Sequence, residues 1–193
     1  MAYHIYTTEG IILKRSSFGE ANILLYILTK DLGLIIASAQ SARLSVSKLR
    51  PALQEYSLVS ISVVKGKNGW KITNVIEKKN YFFNSPGEIN SLLAKVSQLL
   101  LKMIVGESPN PEIYNIVYSG FEYLSEITES ENQSFEILIV LRILANLGYV
   151  VSDSSTEKFI SDSMWDKPKL EEVMTMKNNF ILLINKALKE SHL

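Results

Sequence analysis

The chain has 193 residues, with 20 Lys and Arg, 20 Asp and Glu, no cysteine and a formal net charge of zero. The missing cysteines exclude a disulfide framework, a cysteine-based zinc site and a thiol nucleophile. The zero hides a distribution: residues 1–80 carry 11 basic and 5 acidic side chains (+6), and residues 81–193 carry 9 and 15 (−6). Opposite excesses point to two modules, one of them facing a polyanion.

The first 80 residues read as strands. Tyr6–Ser16 and Ala21–Thr29 are β-rich, with a turn at Ser17-Phe18-Gly19-Glu20. Thr29–Gly33 reads as a hairpin turn into Leu34–Ala39. Ser57–Val64 alternates, with Val59, Ile61 and Val63 on one face and Ser60 and Ser62 on the other. Period two with one apolar face marks a half-buried strand. Asn68-Gly69 signals the next hairpin. The returning strand, Trp70–Glu77, is expected to put Trp70, Ile72 and Ile76 on one face. Five strands, with a longer connection at 40–51, suit a closed barrel, because closure removes sheet edges.

After Asn80 the apolar period becomes helical. Ser85-Pro86-Gly87-Glu88 reads as a capping box opening a helix that runs to about Val105. Its apolar side chains Leu92, Leu93, Val96, Leu99 and Leu100 are expected in a core. Asn110-Pro111-Glu112 opens a second helix to about Ile127, with Gly120 weakening its middle. A third runs from Gln133 to Leu147, with Gly148 at its C′ position. A short helix within Ser155–Met164 and a last one over Lys169–Lys189 follow. The most apolar stretch, Phe135–Val151, carries Glu136, Arg142 and Asn146 and reads as a buried helix rather than a membrane span. The N-terminus has no signal-peptide pattern. No repeat or low-complexity tract is evident. The fold class is therefore α+β: a five-stranded barrel over 1–80 and a helical domain over 81–193.

Catalytic signals are poor. His4 and His192 stand near the chain ends without motif partners, and no nucleotide-binding loop, zinc-protease or nucleophile-elbow motif occurs. No catalytic residue, metal site, cofactor or small-molecule substrate is expected. The cations of the first half carry more information. Arg43, Lys48 and Arg50 fall in the long connection among serines, Lys65 and Lys67 sit at a hairpin, Lys71 follows, and Lys14 and Arg15 end the first strand. A barrel can gather such groups into a charged groove for nucleic acid, with Phe18, Tyr56 and Trp70 as stacking candidates. The plainer reading is that loop lysines keep strands soluble and that these aromatics belong to the core.

Specific residues then carry a resemblance. Glu9-Gly10-Ile11-Ile12-Leu13, Phe18-Gly19-Glu20, Leu28-Thr29, Gly33-Leu34 and Ala39–Arg43 occur in that order. Ser47-Lys48-Leu49-Arg50-Pro51-Ala52-Leu53-Gln54 and Leu141-Arg142-Ile143-Leu144-Ala145-Asn146-Leu147-Gly148-Tyr149 follow. Order and spacing resemble the bacterial recombination mediator family RecO. The resemblance implies an N-terminal OB barrel that binds single- and double-stranded DNA, and a helical domain. It also implies annealing of complementary strands and, with RecR, loading of RecA onto strands coated by the single-stranded-DNA-binding protein. It implies a cytoplasmic, nucleoid-associated protein with no membrane partner. On this reading Lys14, Arg15, Arg43, Lys48, Arg50, Lys65, Lys67 and Lys71 face DNA. Arg142 receives the acidic tail of the coating protein, or instead pairs with a neighbouring Glu. The alternative is an adaptor whose helical domain recruits repair partners while DNA contact is secondary.

The sequence departs from the family pattern in places. Val150–Ile160 has serines but none of the zinc-binding cysteines that many members carry, and the region after Tyr149 reads as reduced. Gln40 and Ser41 stand where the pattern has Lys and Gly, and Glu55 stands where it has Pro. The loss of a cation and of a glycine from the long connection leads to an expectation of weaker DNA affinity.

Overall fold

The structure, a computed structural model, describes residues 4–83, 87 and 89–191. The expected capping box at 85–88, apart from Gly87, and His192 lie outside the described residues.

Five strands form first: β1 (Ile5–Phe18), β2 (Asn22–Thr29), β3 (Gly33–Ala39), β4 (Ser57–Gly66) and β5 (Gly69–Asn80). Their order is β1-β2-β3-β5-β4, and β4 pairs back onto β1, so the sheet closes into a barrel. Among the described residues only β3 and β5 pair in parallel, meeting at Ala37↔Trp70 and Ser38↔Lys71. This is the closed five-stranded barrel expected from the strand count, and its OB type is the one the resemblance implied. Its interior is apolar, with Ile12, Leu25, Ile27, Ile35, Val59, Ile61 and Val63 fully buried.

The alternation in β4 is realised: Val59, Ile61 and Val63 are buried, while Ser60 and Ser62 are half-buried. In β5 it is interrupted. Val63 faces Ile72 but Ser62 faces Asn74, so Thr73 is an extra residue in the ladder. Such a bulge reverses which side the following residues point to. Val75 is therefore buried and Ile76 is 60% exposed, correcting the expected inward face. A second bulge in β1, at Leu13, lies between Ile12↔Ile27 and Lys14↔Tyr26. It breaks the alternation between Ile12, which belongs to the barrel core, and the adjacent Leu13, which is also buried.

Two glycines shape the hairpins. The β4–β5 loop is Lys67-Asn68, one residue earlier than Asn68-Gly69, and Gly69 at φ 95° opens β5. Neither loop residue has positive φ. A glycine in the left-handed region after a two-residue turn is the bulged hairpin solution. Gly33 has φ 73°, and a Cβ there would meet the Ser108 carbonyl oxygen at 2.4 Å. Conformation and space both require glycine.

Among the described residues six α-helices follow: α1 (Asn90–Met103), α2 (Pro111–Tyr123), α3 (Asn132–Asn146), α4 (Glu157–Ile160), α5 (Lys167–Thr175) and α6 (Lys177–Glu190). Asn110 Oδ1 accepts from the Ile113 N–H at 3.0 Å, capping α2. After α3, Gly148 N donates to Ala145 O and Tyr149 N to Leu144 O, both at 2.9 Å. This Schellman pattern satisfies carbonyls that the helix end leaves open. The last expected helix is two. Thr175 Oγ1 donates to Glu172 O at 2.7 Å, competing for the helix's own acceptor, and the chain turns at Met176.

Two compact units result. One comprises residues 1–85 and 97–114, the other 86–96 and 115–193. The barrel unit thus extends beyond residue 80. Within it, Tyr114 Oη donates to Glu9 Oε1 at 2.8 Å, and Lys65 pairs with Glu107 at 2.6 Å. In the other unit α3 packs against α4, α5 and α6, with Phe135, Leu138, Ile139, Leu141, Ile143 and Leu144 fully buried. Among the described residues, no helix is long and apolar enough to cross a membrane.

Candidate nucleic-acid interface

Arg15, near the end of β1, lines a cleft of about 500 Å3 together with Arg43, Glu55, Tyr56, Phe82 and Phe83. Its backbone N–H donates to Glu55 Oε1 at 2.8 Å and its Nη1 to Gln54 Oε1 at 3.2 Å. Arg43 is tethered from the long connection: its N donates to Ala21 O at 2.9 Å and its Nη1 to Gly19 O at 3.2 Å. Tyr56 has φ 62°, a conformation a bulky side chain rarely adopts. Its N–H donates to Ile12 O at 2.7 Å and its carbonyl accepts from Tyr81 N at 3.0 Å, which holds it there. Burial pushes the Tyr56 hydroxyl pKa up, and the Glu55 charge adds to the shift. Tyr56 and Phe82 lie near-parallel, with ring centroids 6.4 Å apart. Phe83 meets Phe82 edge-on at 5.5 Å.

A second surface is the outer face of β2 and β3, the side on which OB barrels bind oligonucleotides. Strand register sets Lys14 opposite Tyr26, and Tyr26 opposite Ile36. Lys14 Nζ lies 5.7 Å from the Tyr26 ring centre. A groove of about 650 Å3 on this face is lined by Phe18, Tyr26, Ile36, Ser38, Trp70 and Lys71, among others.

The structure thus brings Arg15 and Arg43 to one cleft, and Lys14 and Lys71 to one sheet face. Lys65 is engaged elsewhere: it pairs with Glu107 and lies 5.1 Å from the Trp70 ring centre. The Lys65 ammonium, hydrogen-bonded to it, holds the Glu107 carboxyl below its ordinary value. Lys67 is exposed at the β4–β5 turn. Lys48 and Arg50 are exposed in the long connection and line neither cleft nor groove. Of the stacking candidates, Phe18 is exposed on the sheet-face groove, Tyr56 lines the cleft, and Trp70 is buried beneath Lys65. Phe82 and Phe83 were not singled out by sequence reasoning. Their signal is a pair of large apolar side chains just past the last strand, and they are 42% and 75% exposed.

Arg142 corrects an expectation. It is 1% exposed on α3, not a surface cation. Its Nε donates to Phe159 O at 2.8 Å, Nη1 to Ser163 O at 3.4 Å, and Nη2 to Met164 O at 3.0 Å and to Asp162 O. Burial lowers its pKa to about 10, against the opposing charges of Asp162 and Asp166, so it stays protonated at neutral pH. A guanidinium committed to four backbone carbonyls has no face to offer an acidic tail. Among the described residues, no group of three or more His, Cys, Asp or Glu is placed to hold a metal.

Residues 1–81 match the family model described as Recombination protein O N terminal. The DNA repair protein RecO of Dehalococcoides mccartyi (strain 195) is 31% identical over 137 residues, covering 69% of this chain and 54% of that protein. The protein of the same name from Thermodesulfovibrio yellowstonii is 27% identical over 153 residues, 75% of this chain and 58% of the relative. That from Nostoc sp. is 29% identical over 141 residues, 70% and 46%. The chain spans about half the length of these relatives. With an OB-type barrel where the family model matches and relatives that share one name, the chain belongs to the RecO family of DNA repair proteins.

Proposed function

We propose that the barrel binds single- and double-stranded DNA and anneals complementary strands. With RecR it helps load RecA onto strands coated by the single-stranded-DNA-binding protein. The observation that carries this reading is a cationic OB-type barrel in a chain of this family: its first 80 residues have a net charge of +6. Phosphates are held by Arg15 and Arg43 at the cleft, by Lys14 and Lys71 on the sheet face, and by Lys48, Arg50 and Lys67 on the loops. Lys65 widens the positive surface less, because Glu107 already neutralises it. Annealing follows when two strands share a surface that neutralises their charge and leaves base edges open. It requires no catalytic side chain, metal or nucleotide, and it takes place at the nucleoid in the cytoplasm. The helical unit receives RecR or the coating protein's tail, with Arg142 positioning residues 159–165 rather than touching the partner.

A strand-annealing assay with and without the coating protein, across a salt series, tests this. Annealing is expected at low salt and falls steeply as salt rises, because counterion release drives phosphate binding. The absence of both annealing and a mobility shift of single-stranded DNA at low salt refutes it.

A further inference from the structure

We propose that the cleft beside Tyr56 takes one unstacked nucleobase of a bound strand, the base stacking on one of the two rings Phe82 and Phe83 and meeting the other edge-on, with the neighbouring phosphates on Arg15 and Arg43. This rests on the DNA-binding reading and adds where a base is held. Three observations carry it.

The first is exposure. Phe82 and Phe83 present two large apolar rings at the edge of a cleft of about 500 Å3, a volume typical of small-ligand sites. Exposed aromatic faces are the sequence-tolerant platforms on which single-strand binders stack bases.

The second is charge. Two guanidiniums and one carboxylate, Glu55, line the cleft, so the surroundings are net positive but one wall is anionic. That wall repels a phosphate and suits a base edge. Glu55 accepts the Arg15 N–H, and its remaining lone pairs can accept a base amine. Phosphate outside and base inside is the arrangement these charges favour. Arg43 is exposed and held in place by Gly19 and Ala21, already oriented for the phosphate.

The third is the backbone. Tyr56 is kept in the left-handed region by hydrogen bonds to Ile12 and Tyr81, and its ring lies near-parallel to Phe82. Backbone of this kind gathers at ligand sites.

The test compares two oligonucleotides of equal length and charge, a deoxycytidine homopolymer and an abasic strand, by fluorescence anisotropy. The intact protein is expected to bind the homopolymer more tightly. Phe82→Ala/Phe83→Ala is expected to lower homopolymer affinity about tenfold, within the range for losing base–aromatic stacking. Its affinity for the abasic strand and its salt slope stay unchanged, because no phosphate contact is lost. Phe83→Trp, which keeps a ring, retains the homopolymer affinity. An unchanged homopolymer affinity in the double variant overturns the proposal, as does an equal loss on the abasic strand. A parent protein that binds neither strand refutes the DNA-binding reading itself, and the base site with it. Unchanged abasic binding also shows that the variants are folded.

Discussion

The Arg142 guanidinium lies 4.2 Å from the centre of the Trp165 ring, stacked on the residue that follows the carbonyls it binds. Trp165 in turn donates from Nε1 to Ser119 Oγ at 2.9 Å. One cation on α3 thereby fixes the end of α4 and the irregular segment 161–165 against α2.

Arg142→Ala is expected to destabilise the helical unit by about 3 kcal/mol or more, since it leaves a cavity and several buried carbonyls unpaired. Arg142→Lys is expected to recover less than half of this, because an ammonium cannot span a fork of acceptors. Urea unfolding followed by tryptophan fluorescence measures both. A loss in either variant below about 0.5 kcal/mol, the usual range for surface substitutions, contradicts the clamp.

Gly120 lies inside α2, where alanine normally gains about 1 kcal/mol of helix propensity. Here a Cβ would meet Ile139 Cδ1 at 2.8 Å and Trp165 Cζ2 at 3.2 Å. Overpacking costs about 1–3 kcal/mol, so Gly120→Ala is expected to be destabilising on balance. The glycine that weakens the helix in sequence is there for packing. Thermal unfolding of the variant decides the sign.

Ser41 stands where the family pattern has glycine, and it has φ 54°. Its N–H donates to Asn22 Oδ1 at 2.9 Å. Glycine relieves the left-handed strain but makes the unfolded chain more flexible. Ser41→Gly is therefore expected to be neutral or stabilising by up to about 1 kcal/mol, and Ser41→Val destabilising by about as much or more. Unfolding midpoints of the pair check this ordering.

Several carboxylates are held below their ordinary values. Thr128's N–H, 2.7 Å from Oε2, lowers Glu131, and Lys169 lowers Asp162. Burial pushes Glu9 up, but the hydrogen bonds from Lys78 and Tyr114 outweigh it and the net shift is down. As pH falls through the ordinary carboxylate range, the unfolded chain takes up protons that these groups refuse when folded. The stability they contribute is complete above that range and is lost as pH falls through their lower folded values. Urea midpoints from pH 7 to pH 3 should fall in the acid limb. Glu131→Gln should flatten that limb.

Arg43→Ala/Lys48→Ala/Arg50→Ala is expected to weaken single-strand binding and to reduce the slope of log affinity against log salt. The reduction is about 2 if each side chain meets one phosphate. Since Lys48 and Arg50 line neither cleft nor groove, Arg43→Ala alone should account for the largest single share. Titrations at several salt concentrations separate these contributions.

Much of the architecture was legible in the residues. Alternation over Ser57–Val64 marked a strand, Asn110 marked a helix start, and Gly148 marked a helix end. These signals are local: each depends on a few adjacent backbone groups and one side chain, so a short window contains its cause. The order of motifs also pointed to the family, and with it to the OB-type barrel. The opposite charges of the two halves, hidden in a net of zero, pointed to a cationic module.

Tertiary structure decided the rest, because the causes lie far apart in the chain. The bulge at Thr73 turns Val75 inward and Ile76 outward, and it exists only in the pairing with β4. The motif around Arg142 implied a cation that receives an acidic tail, yet its acceptors are backbone carbonyls 17 to 22 residues further on. The basic residues were countable in sequence, but closure of the barrel separates Arg15 and Arg43 from Lys14 and Lys71, and the connection between α1 and α2 brings Glu107 to Lys65. Composition established how many charges each half carries. Pairing and packing determined which of them remain open to a ligand.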